Sequence, residues 1–252
     1  MSELVGVMRY EYRMSIRRWG LWLAFGLALA ASLVGGGETV KPANMAELWT
    51  LAARLPFQFN LWIPVVVGIA VADRLVRDEQ IKTREMILST QLSRWGYLLG
   101  KYFGNLLAML TPALGALMAM SLLWVVMGGL PVILLMTGVA FLAIIVPAYV
   151  FVTAFSLVCP LVMPTRVYQV LFTGYWFWGN YLSPKAFPTL SGTWLTPCGK
   201  LIYQGYFGGH WSMGPLRYTA TDATLSVMTM AFCAALVLLA AERFLAWRQR
   251  VA

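Results

Sequence analysis

The chain has 252 residues, 60% of them hydrophobic and only 12% charged, with a net charge of +9. A soluble domain is nearer half apolar and a quarter charged, so composition argues against one and for a helical integral membrane protein with apolar runs of spanning length. The alternating strands of a β-barrel are absent, and three scattered cysteines with a single histidine offer no metal-site spacing.

Residues 1–18 read as an interfacial helix. Leu4, Met8, Tyr12 and Trp19 share one face, with Val5 and Ile16 beside it, while Arg9, Arg13 and Arg17 form a basic stripe on another. Such a helix lies on a bilayer with its basic face toward anionic lipid. The first span follows at about 19–36. Ala28-Leu29-Ala30 resembles a signal-peptidase site, but the long patterned segment before it argues for a retained helix.

A second apolar stretch covers about 57–72, and a charged segment follows at 73–101 with six basic and four acidic residues. Its first part should continue as helix in water, because Asp73/Arg77, Arg74/Asp78 and Asp78/Lys82 are i,i+4 pairs. Ile81, Leu88 and Leu92 share a face farther along, and Glu85 lies between them. Either a loop resting on the bilayer or a docking surface fits that pattern.

Further apolar stretches at about 102–127, 131–159, 167–182 and 223–241 complete a count of six spans. The spans hold no ionisable residue near their centres, which argues against a proton-driven carrier and, with no nucleophile–base set, against an intramembrane enzyme. Pro64, Pro112 and Pro147 fall inside spans, where kinks serve moving helices and are also widely tolerated. Tyr175, Trp176, Phe177 and Trp178 crowd one boundary. They read as an interfacial belt, or as a subunit contact or substrate wall.

Residues 183–222 form the longest polar-leaning stretch. Thr196-Pro197 suggests a helix start and Gly208-Gly209 a stop, predicting a short outer helix at 197–207, interfacial or re-entrant, with Lys200 wetter than Leu201 and Ile202. With both termini placed inside, 14 of the 19 lysines and arginines fall on cytoplasmic segments. The positive-inside rule then orients the chain and accounts for the basic charge without nucleic acid.

The stretches Asp73-Arg74-Leu75-Val76-Arg77-Asp78, Thr83-Arg84-Glu85-Met86-Ile87-Leu88, Leu92-Ser93-Arg94-Trp95 and Gly100-Lys101 resemble the first cytoplasmic loop of ABC-2-type permeases, the membrane subunits of ATP-binding-cassette exporters. Lys82 and Gln91 stand where that family often has glycine and proline. The resemblance implies a single permease domain over 1–252, with a cytoplasmic coupling helix between spans 2 and 3. Its contacts to a cytosolic ATPase would come from Arg77, Asp78, Ile81, Thr83, Arg84, Glu85, Leu88 and Leu92. It also implies a second permease subunit, an inner (plasma) membrane location and an amphipathic or hydrophobic substrate moved outward. No Gly-x-x-x-x-Gly-Lys-Ser/Thr loop occurs in the chain. ATP and magnesium are therefore expected on the partner, and no catalysis or cofactor on this chain. A membrane anchor that recruits a cytosolic protein through 73–94 is the alternative.

Overall fold

A computed structural model describes residues 2–35, 42–80, 93–210 and 218–251. All regular elements among them are helical. They are α1 (Ser2–Ile16), α2 (Trp19–Gly35), α3 (Met45–Val71), α4 (Arg74–Gln80), α5 (Arg94–Val126), α6 (Val132–Ala140), α7 (Val146–Val158), α8 (Thr165–Asn180), α9 (Lys200–Phe207) and α10 (Ala220–Val251).

Several boundaries follow from local chemistry. Asn44 caps α3 by accepting from Glu47 N at 2.9 Å, while Glu47 accepts from Ala43 N at 2.7 Å. That reciprocal pairing satisfies donors the first turn would leave open. Ser93 caps α5 by accepting from Gly96 N at 3.0 Å. Between α1 and α2 the chain turns at Arg17-Arg18, and Trp22 Nε1 donates to Ile16 O at 2.7 Å to close the elbow.

Helices lie on all six apolar stretches, and four are long and apolar enough to cross a membrane: Met45–Asp78, Arg94–Val126, Val132–Leu161 and Ala220–Arg248. The other two, α2 and α8, have 17 and 16 residues. At 1.5 Å per residue they reach only about 25 Å, short of the ~30 Å hydrocarbon thickness.

The bundle centres on α7, whose Ala148, Tyr149, Phe151, Val152, Ala154 and Leu157 are all buried. It packs against α3, α5 and α10, as a helix apolar on every side must. Residues Phe141–Ile145 join α6 to α7 as a π-helical turn directly before Pro147. A proline ring crowds the carbonyl four residues earlier, here Ala143, and offers no N–H in return. Widening the turn removes that conflict without ending the helix.

Candidate functional site

Two polar clusters sit at opposite ends of α3. The first joins α1, α4 and α5. Helix α1 lies along α5 because Gly100 and Gly104 leave room for it: a Cβ at Gly104 would stand 2.7 Å from Met8 O, and one at Gly100 would stand 2.9 Å from Val7 Cβ. On the facing sides, Tyr97, Lys101 and Asn105 are spaced at i,i+4, as are Glu11 and Ser15, so each set lines one face.

Lys101 is fully buried. Its Nζ stands 2.6 Å from Glu11 Oε1 and 2.7 Å from Asp78 Oδ2. Tyr97 donates to the same Asp78 oxygen at 2.7 Å. Asn105 donates to Glu11 Oε2 at 3.2 Å and accepts from Ser15 Oγ at 2.7 Å. Beside this clamp, Arg18 donates to Ala70 O at 2.9 Å and pairs with Asp73 at 3.3 Å. The buried Arg74 holds its Nε 4.0 Å from Asp73.

Three acids (Glu11, Asp73, Asp78) therefore balance three cations (Arg18, Arg74, Lys101). Balance is what lets Glu11, Arg74 and Lys101 leave water. The cluster contains no nucleophile–base pair, and no group of three His, Cys, Asp or Glu that could hold a metal occurs among the described residues. Its capacity is mechanical: three helices are tied through one ammonium.

The expected partner-facing residues divide. Arg77 is exposed, whereas Asp78 is taken up by Lys101 and Tyr97. Ile81, Thr83, Arg84, Glu85, Leu88 and Leu92, and with them the Thr83–Leu92 helix, lie outside the described residues. From the flanks of the family-like stretch, Ser93 caps α5, Gly100 seats α1 and Lys101 forms the clamp.

Helix α1 departs from expectation in one respect. Arg9, Arg13 and Arg17 are exposed, but the most buried positions are Glu11 and Ser15, not the apolar stripe. Leu4 and Met8 are half-buried and Trp19 is 82% exposed. Partners on α5 outweigh lipid because a buried carboxylate needs a fixed cation.

The second cluster is built by the segment between α8 and α9 and by α9 itself. Cys198 N donates to Asn180 Oδ1 at 3.1 Å, and Asn60 Nδ2 donates to Pro197 O at 2.9 Å. Lys200 Nζ bonds Ser191 Oγ, which also donates to Asn180 O at 3.2 Å. Thr50 Oγ1 reaches Phe207 O at 2.5 Å, and Tyr203 stacks on Phe57 with ring centres 4.5 Å apart.

Helix α9 thus starts at Lys200 rather than at 197, with Gly199 at its N-cap, and ends at Gly208 as the glycine pair predicts. Thr196 does not cap it; its hydroxyl bonds Leu190 O at 2.8 Å within the preceding turn. Lys200 is 5% exposed against 1% for Leu201 and 0% for Ile202, so it is wetter than they are, as expected, yet still buried. Ser191 supplies the acceptor that makes this tolerable, and burial pulls the lysine's pKa down.

The aromatic run splits by helical geometry. Trp176 is fully buried and donates to Leu61 O at 2.8 Å, where Tyr181 OH also donates at 2.9 Å. Phe177 and Trp178 are exposed and Tyr175 is half-buried. Phe177, Tyr181 and Trp62 form an outward ledge with ring centres 5.5–5.9 Å apart. Comparison with family models, curated proteins and solved structures finds no match.

Proposed function

We propose that the chain is the permease subunit of an ATP-binding-cassette exporter, moving an amphipathic or hydrophobic substrate out of the cytoplasm. In this reading α2 and α8 complete six spans, and both termini face the cytoplasm of an inner (plasma) membrane. A second permease copy or paralogue completes the pathway. ATP and magnesium bind the separate cytosolic ATPase subunits that drive it.

One observation carries the reading. Asp78, at the root of the charged segment, is ion-paired to Lys101 of α5, whose ammonium also pairs with Glu11 of α1. A push on the segment that resembles a coupling loop would reach a spanning helix and the N-terminal helix together, instead of dissipating in a slack connection.

Co-purification with the cognate ATPase tests this. Leu88→Ala removes an apolar anchor of the loop and should weaken capture by about 2 kcal/mol or more. Arg84→Ala, a rim charge, should cost about 1 kcal/mol or less and mainly alter salt sensitivity. Glu85→Ala is expected to uncouple ATP turnover from transport in nanodiscs while leaving the subunits together. Wild-type behaviour in all three variants would sink the coupling reading.

Orientation has its own test. A single cysteine at the exposed Lys185 should label from outside intact cells, and one at Thr83 only after permeabilisation. The reverse pattern would overturn the orientation and the cytoplasmic assignment of 73–101.

A further inference from the structure

Helix α4 presents two opposite charges to the same neighbours. Arg74 and Asp78 are one turn apart, so they share a face. Asp78 is satisfied there, by the Lys101 ammonium at 2.7 Å and the Tyr97 hydroxyl at 2.7 Å. Arg74 is not. It is 2% exposed, and its Nε and Nη2 lack a hydrogen-bond partner among the described residues. Asp73 stands 4.0 Å from Nε, beyond hydrogen-bond reach, and pairs instead with Arg18. A buried cation with unused donors is costly to keep, and native folds hold few such groups without a reason.

An acceptor is nearby. The Glu11 carboxylate lies within electrostatic reach of the Arg74 guanidinium. Glu11 receives one hydrogen bond on each oxygen, from Lys101 and from Asn105, whereas a carboxylate accepts about four. It has room for a guanidinium without giving up either donor. The backbone beside Arg74 is also built to turn. Ala72 and Asp73 separate α3 from α4, and Arg18 holds the Ala70 carbonyl at 2.9 Å, the acceptor that an unbroken helix would offer to the Arg74 N–H.

We infer that α4 is a two-position element and that Arg74 is the group that holds its second position. In the first position, the one in the structure, Asp78 binds Lys101 and Arg74 goes unpaired. In the second, α4 swings about Ala72-Asp73, Asp78 leaves for water and Arg74 binds the open lone pairs of Glu11. Lys101 stays on Glu11 throughout. Each position pairs one of the two charges on α4, which keeps the two close in energy, as a switching element requires. The inference rests on the charges of α4 and not on transport, so it and the exporter reading fail separately.

Dipolar EPR on the full chain in nanodiscs, with spin labels at the exposed Arg77 of α4 and the exposed Arg13 of α1, tests it. Wild type should give one narrow distance. Asp78→Asn should give a different narrow distance, displaced by about 3–5 Å, the arc of a swing of about 30–45° at a label about 6 Å past the hinge. Asp78→Asn/Arg74→Gln, which has neither anchor, should give a broad distribution. Tyr97→Phe, which keeps every charge while loosening Asp78, should show both distances. Labels at Arg13 and the exposed Arg94 of α5 should keep one distance in every variant, because Lys101 still joins α1 to α5. Identical Arg77–Arg13 distributions in Asp78→Asn and the double variant would mean that Arg74 captures nothing. A single wild-type distance in Tyr97→Phe, or a change between Arg13 and Arg94, would likewise overturn the inference.

Discussion

Lys101→Met is expected to destabilise the protein by about 3–5 kcal/mol, the cost of removing one member of a buried ion pair. The size follows from what stays behind. Glu11 and Asp78 both lie within hydrogen-bond distance of the lost ammonium. Without it, two carboxylates remain in a site with almost no water. Tyr97 and Asn105 still donate to them, but neutral donors do not replace a charge. Thermal unfolding in detergent should show the midpoint falling by on the order of 10 °C, taking the scaling of soluble domains of this size. Adding Glu11→Gln should restore part of the loss, since a neutral side chain no longer needs the cation, and a double-mutant cycle would read the coupling. If Lys101→Met melted like wild type at neutral pH, the ammonium would not be holding α1, α4 and α5 together.

The clamp also marks where the sequence can and cannot be read. The helical class follows from the apolar runs, because backbone groups in lipid must be paired within a segment. Gly208 as the end of α9 follows from glycine's access to left-handed backbone, and φ there is 64°. The buried face of α1 was not legible from its apolar residues. Hydrophobic pattern points at Leu4, Met8 and Tyr12, whereas burial is greatest at Glu11 and Ser15. The available signal was Glu11 between Arg9 and Arg13, together with tyrosine, lysine and asparagine four residues apart at 97, 101 and 105. Each pattern is ambiguous until the two helices are seen to pair. The helix expected after Asp73 is present at Arg74–Gln80, but Asp73/Arg77 and Arg74/Asp78 are not its ion pairs, and Lys82 lies outside the described residues. Asp73 and Asp78 find cations on other helices, at Arg18 and Lys101, and tertiary partners in a dry site outweigh solvent-screened i,i+4 neighbours. Lys200 reads as solvated because lysine usually is, and only the fold brings Ser191 to it.

Gly199→Ala should produce the second large effect, about 3 kcal/mol, beside the middle of α3. Gly199 has φ 82° and ψ 7°, where a residue with a Cβ pays roughly 1–2 kcal/mol. The added methyl would also stand 2.7 Å from Ile144 Cγ2 and 3.2 Å from Asn60 Nδ2. Ile144 is fully buried in the π-helical turn between α6 and α7, so it has little room to yield, and overpacking of this kind costs about 1–3 kcal/mol. Relief requires the α8–α9 segment to lift, which would strain the Asn60–Pro197 and Asn180–Cys198 hydrogen bonds together. Cys198 reports the movement directly. It is buried and free, and burial raises its thiol pKa, so maleimide should label it slowly in the wild type. With Cys159 and Cys233 replaced by serine, Gly199→Ala should accelerate labelling of Cys198 and lower the unfolding midpoint together. Ile144→Ala removes the methyl that the new side chain strikes, so the double variant should lose less than the sum of the singles, with the backbone term left over. On the exporter reading proposed above, capture of an ATPase should be unchanged, because the Lys101 clamp shares no partner with this contact. A Gly199→Ala protein with wild-type stability and a protected Cys198 would mean that the α8–α9 segment does not seat against the π-turn.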